Sequence, residues 1–142
     1  MLARQQGGGQ AAMQRIQNET PLVYSCSGCS NVAQLANRVA IALDRDGSAE
    51  MSCIAGVGGG VPNLVKTARS GRYILAIDGC PLHCTAACLA RAGVTPSWHV
   101  TLSEEGFRKR YGEDPDNEDV NALRERFAQE LADRAHAQRI AG

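Results

Sequence analysis

The chain has 142 residues, 44% of them apolar, and its 15 Lys plus Arg are balanced by 15 Asp plus Glu. That length suits one domain with a sizeable core, and that apolar content excludes a disordered chain. The neutral balance removes the broad electrostatic argument for nucleic acid or an anionic membrane surface, and no run reaches the roughly 18 apolar residues of a membrane span.

Residues 1–20 are rich in Gln, Gly and Ala, and Gly7-Gly8-Gly9 discourages a continuous helix. The segment reads as a flexible tail, with room for a short helix over Gln10 to Asn18. It has no apolar stretch of the secretory type, so a cytoplasmic location is expected. In that compartment six cysteines are expected to be reduced, metal-bound or catalytic rather than paired as structural disulfides.

The core domain is expected over residues 21–110. Pro21 to Ser25 reads as a short strand, followed at once by Cys26-Ser27-Gly28-Cys29. Val32, Leu35, Ala36, Val39 and Leu43 then mark one face of a helix that Gly47 stops. Cys26 and Cys29 therefore occupy a strand-to-helix turn. Glu50 to Val57 reads as a second strand containing Cys53. Gly56 and Gly58 to Gly60 read as a flexible loop, and Pro62 opens a short helix that ends at Gly71. A glycine run before a helix can cradle an anion, but no phosphate-loop pattern is present, and a tight turn is the simpler reading.

Tyr73 to Ile77 is the third strand. Asp78-Gly79 breaks it, and Cys80-Pro81 is expected to open a helix running to Gly93. Cys80, Cys84 and Cys88 recur every four residues and so would share one helix face. Ser97 to Leu102 alternates Trp98, Val100 and Leu102 against Ser97, His99 and Thr101, the pattern of a strand at an edge. Residues 111–142 read as an acidic linker and a final amphipathic helix with Val120, Leu123, Phe127 and Leu131 on one face, packing on the same domain. The acidic run suits a solvated helix start. His83 is expected to face solvent, His99 to be a hydrogen-bonded structural residue, and His136 to be exposed.

Strands alternating with helices predict an α/β fold. The expected form is a three-layer, Rossmann-like sandwich on a small, mainly parallel four-stranded sheet. In strand order 2-1-3-4, strands 1 and 3 adjoin at a switch point, and ligands bind there outside the C-terminal strand ends. Cys26 and Cys29 would then face Cys80 and Cys84 across the crevice. Two close thiol pairs at helix starts suit a tetrahedral four-thiolate zinc site. Cys53 is either a buried strand residue or a fifth thiol near the ion. Cys88, about 12 Å along the helix from Cys80, belongs to packing.

The same ligands suit an iron–sulfur cluster, and a thiol redox or sulfur-transfer protein with Cys26 attacking and Cys29 resolving is the alternative of a different class. No Ser–His–Asp set or paired carboxylates support a hydrolase.

The stretches CSGCSNVAQLAN (26–37), MSCIAGVGGGVP (51–62) and IDGCPLHC (77–84), with the strand from Trp98 to Leu102, resemble the DGC-domain family, which takes its name from Asp78-Gly79-Cys80 here. The resemblance covers about residues 21–110. That family is described as zinc- or metal-binding on the strength of its cysteines. The resemblance therefore implies a metal ion at Cys26, Cys29, Cys80 and Cys84, with Cys53 a candidate, and a role in metal handling, sensing or assembly. It supplies no reaction. A protein partner is expected without being identified, and the oligomeric state is left open.

Overall fold

A computed structural model describes residues 20–141. The tail expected over 1–20, and the helix from Gln10 to Asn18, lie outside the described residues apart from Thr20. Four strands and five α-helices follow one another as β1 (Leu22–Ser25), α1 (Asn31–Arg45), β2 (Glu50–Met51), α2 (Ile54–Gly58), α3 (Pro62–Ala68), β3 (Ile74–Asp78), α4 (Cys84–Arg91), β4 (Trp98–Thr101) and α5 (Asn117–Ala141), with a 3-10 turn at Leu102–Glu105. The sheet order is β2-β1-β3-β4, and every pairing is parallel. The order 2-1-3-4, assumed in bringing the two cysteine turns together, is the one observed.

Alternate residues of the strands feed two separate apolar clusters. Val23, Leu75, Ile77 and Val100 pack with Leu35, Val39 and Leu43 of α1 and with Leu123, Phe127 and Leu131 of α5. Leu22, Tyr24, Ile74 and Ala76 pack with Val57 of α2, Ala68 of α3 and Leu89 of α4. Helices thus cover both sides of the sheet, as near-continuous apolar parallel strands require. Among the described residues, no helix is long and apolar enough to cross a membrane.

Two elements depart from the sequence reading. The run from Glu50 to Val57 is not one strand: only Glu50 and Met51 pair, and the chain turns into α2 from Ile54. An apolar run of that length carries no signal that separates a strand from a buried helix turn. Gly56 and Gly58 therefore belong to a helix rather than a loop. A Cβ at Gly58 would lie 2.6 Å from Cys88 Sγ, so the glycine is what lets α2 press against α4.

The second departure is the start of α4. Pro81 does not open it; the helix begins at Cys84, after His83 in the left-handed region at φ 54°. Asp78 sets that start. Its carboxylate accepts hydrogen bonds from the Thr85 and Ala86 amides at 2.8 and 3.3 Å, which satisfies the first turn from a distance.

Candidate functional site

The C-terminal ends of β1 and β3 are side by side, with Ser25 paired to Ile77 and the Cys26 amide donating to the Ile77 carbonyl at 3.2 Å. Cys26 therefore emerges next to the Asp78-Gly79-Cys80 turn. The Gly79 N–H donates to Cys26 Sγ at 3.2 Å. Gly79 is also where that turn meets the first turn of α1. A Cβ there would lie 2.7 Å from the Val32 carbonyl carbon and 2.8 Å from the Ala33 nitrogen. Only glycine lets the two thiol-bearing turns approach this closely.

Ser30 caps α1 by accepting from the Ala33 amide at 3.2 Å, which fixes where the CxxC turn ends and the helix begins. The turn is also tied from the other side. Asn31 Oδ1 accepts from the Arg110 amide at 2.6 Å, its Nδ2 donates to the Arg108 carbonyl at 2.9 Å, and the Gly112 amide donates to the Cys29 carbonyl at 3.3 Å. The segment after β4 is thereby strapped over the thiols. From it Lys109 Nζ reaches Cys80 Sγ at 3.5 Å and stands 4.9 Å from the Tyr111 ring centre. Hydrogen bonding to Tyr111, and then to Cys80, raises the Lys109 pKa above that of an ordinary lysine.

Burial pushes the Cys26 thiol up to about 11. The Gly79 N–H opposes this, and the negative charge of Asp78, Cys84 and Cys80 adds to it. Cys80 and Cys84 are therefore both within electrostatic reach of Cys26. All six cysteines are free: Cys26, Cys80 and Cys88 are half-buried, whereas Cys29, Cys53 and Cys84 are exposed.

Cys29 stays in its turn, with its carbonyl rather than its sulfur making the observed bond. Cys53 is not a strand residue. It immediately precedes α2, at the helix cap, and its side chain caps nothing. Cys80 does not share a helix face with Cys84 and Cys88, because it precedes the helix. The axial distance inferred for Cys88 therefore does not apply. Its packing role rests instead on its contact with Gly58. Among the described residues, no three His, Cys, Asp or Glu side chains stand at positions that could hold one metal ion. The donor chemistry of Cys26, Cys80 and Cys84, three soft sulfurs at one sheet end, fits a zinc or iron–sulfur centre; the spacing in this structure is open.

Beside the thiols lies a polar cluster that the sequence hardly announced. His99 Nε2 donates to Asp78 Oδ2 at 2.7 Å, and Asp78 is buried. The expectation of a hydrogen-bonded His99 is met. His83 does not face solvent freely: it is half-buried, its Nε2 lies 2.9 Å from Thr101 Oγ1, and its ring meets His99 edge-on at 4.7 Å. The available signal was register, since Asp78 pairs with Thr101 and His99 is two residues earlier on the same strand face. Lys109 carried no such signal, because its approach to Cys80 depends on a loop path. His136 is exposed on α5.

The family model of the DGC domain matches residues 22–127, reaching past the strand at Trp98–Thr101 and into α5. A protein of Pseudomonas aeruginosa named anaerobic and virulence modulator AnvM is 68% identical over 103 residues, covering 72% of this chain and 79% of its own length. No solved structure matches. With its Asp-Gly-Cys turn seated against the CxxC turn and the family match running through most of its length, this chain belongs to the DGC-domain family.

Proposed function

We propose that this protein is a thiolate-based metal-binding module, with zinc as the ion, acting in regulation or sensing rather than in catalysis. Cys26, Cys29, Cys80 and Cys84 would hold the ion. The observation that carries the reading is the approach of two thiol-bearing turns at Gly79, whose missing side chain lets its N–H reach Cys26 Sγ. The half-buried Cys26 thiol, with Cys80 and Cys84 within electrostatic reach, suits a cation that takes the place of its proton. Four thiolates would close the coordination shell, and a closed shell leaves no position for a substrate. Because the spacing is open, binding would draw the exposed Cys29 and Cys84 toward Cys26 and Cys80. The relative named as an anaerobic modulator supports a role in which thiol or metal state is read out. Such a role calls for a protein partner and suits the cytoplasm.

The test is elemental analysis of protein purified without oxygen, together with its visible spectrum. About one zinc per chain and no colour is expected, with the metal lost in Cys80→Ser and kept in Cys88→Ser. Metal retained in Cys80→Ser overturns the assignment. Brown protein containing iron and sulfide moves it to an iron–sulfur centre.

Thiol exchange is the second reading, and one observation favours it. Lys109 Nζ is 3.5 Å from Cys80 Sγ, placing positive charge beside a half-buried thiol. The attacking sulfur would then be Cys80 and not Cys26, whose thiol stays protonated at neutral pH. Metal-free protein that forms a reversible Cys80 disulfide with a small-molecule disulfide would favour this reading.

A further inference from the structure

The chain is neutral as a whole, but its charges are segregated. Between residues 51 and 103 the only acidic side chain is Asp78, which is buried and bonded to His99 and to the amides that start α4. The same stretch carries Lys66, Arg69, Arg72 and Arg91. Arg72 is taken by Glu50 at 2.6 Å and by the Thr20 carbonyl. Lys66, Arg69 and Arg91 are exposed, and their side chains make no ion pair or hydrogen bond with any described residue.

Arg69 and Arg91 flank a cleft of about 370 Å³ with Val57, Pro62 and Val65 along its apolar side and the glycines that follow α2 along its rim. Those glycines do not cradle anything with their amides. The Gly59 N–H is bonded to the Ala55 carbonyl, the Gly60 N–H to the Val57 carbonyl and the Val61 N–H to the Gly56 carbonyl. Anion recognition here would fall to the guanidinium groups. Lys66 and Arg91 lie in the last turns of α3 and α4 and offset the negative helix ends there. Three such ends contribute at most about −1.5 charge in total, against three free cations, so a positive surplus remains.

We propose that this cleft binds a phosphate monoester with an apolar organic part. Two guanidinium forks match a phosphate dianion in charge and geometry, and the valine–proline side accepts the apolar part. The cleft touches Cys88 through Gly58 but is separate from the four thiols assigned to the metal: Arg91 closes the helix that Cys84 opens, about 10 Å further along its axis. The inference therefore stands whether or not the thiols hold a metal.

The full chain, labelled with nitrogen-15, would be titrated with phenyl phosphate and separately with inorganic phosphate. Saturable shifts of the Gly58, Gly59, Gly60, Val65 and Ala92 amides are expected, with phenyl phosphate the tighter ligand. Arg69→Ala and Arg91→Ala should each weaken binding about tenfold, the loss of one charge-assisted contact, while Arg139→Ala leaves it unchanged. All three side chains are exposed, so the variants should fold, and their spectra would show it. Equal weakening by Arg139→Ala, or shifts confined to other residues, would overturn the site. So would the same amide shifts produced by an acidic peptide or duplex DNA when phenyl phosphate produces none.

Discussion

The Gly79 amide points at Cys26 Sγ from 3.2 Å, and the missing side chain of that same glycine makes room for Val32 and Ala33. Gly79→Ala would place a carbon 2.7 Å from backbone that has no rotamer with which to yield. We expect a loss of about 2–3 kcal/mol in urea unfolding, as for overpacking elsewhere, and a metal content that falls with it. A variant as stable as the parent would show that the two turns are not held together by this contact.

Asp78 contributes through three hydrogen bonds at once. Asp78→Ala leaves the Thr85 and Ala86 amides and His99 without their acceptor, and should cost about 3–5 kcal/mol, the range for breaking a buried charged network. Asp78→Asn keeps the shape and one acceptor oxygen, and should cost less. Equal costs for the two variants, measured by chemical denaturation, would mean that the carboxylate charge carries the whole effect and that the retained shape and neutral acceptor offset none of it.

Cys26 makes a signed prediction about pH. Its pKa rises from an ordinary 9.0 to about 11, so the folded state holds the thiol proton more tightly than the unfolded chain does. The associated stability is complete below about pH 9 and is lost as pH rises through about 11. Metal-free protein should therefore destabilise over that window, and Cys26→Ala should flatten the profile. Alkylation provides a second readout: Cys29 and Cys53, being exposed, should react before Cys26 at pH 8.

Gly58 and Cys88 should behave as a coupled pair. Gly58→Ala drives its new methyl into Cys88 Sγ and should cost about 1–3 kcal/mol. Adding Cys88→Ala removes the sulfur and should recover part of that loss, a coupling visible in a double-mutant cycle of thermal or urea unfolding. Strict additivity would show that the α2–α4 seam relaxes freely.

Much of this architecture was legible because it follows from periodicity. Val32, Leu35, Ala36, Val39 and Leu43 identify the buried stripe of α1, and the alternation of elements led to a parallel α/β sheet, whose β2-β1-β3-β4 order had to be assumed. The turns that carry Cys26, Cys29 and Cys80 were placed at the correct sheet end for the same reason. What was lost depends on distant partners. β2 stops at Met51 although its apolar run continues, and α4 waits for Cys84 because the Asp78 carboxylate satisfies amides seven and eight residues on. Pro81 is a good first helical residue in isolation, but that local preference yields to the tertiary cap. Lys109 lies 29 positions from Cys80, and no local pattern encodes such a meeting.

Asn31 is bonded to the 108–110 segment through both ends of its amide and is also the first residue of α1. The segment between β4 and α5 cannot lift away from the thiols without pulling on that helix terminus. A partner that lifts the 108–110 backbone off the thiols must therefore break both amide bonds of Asn31, at the start of the helix that packs on Phe127 and Leu131.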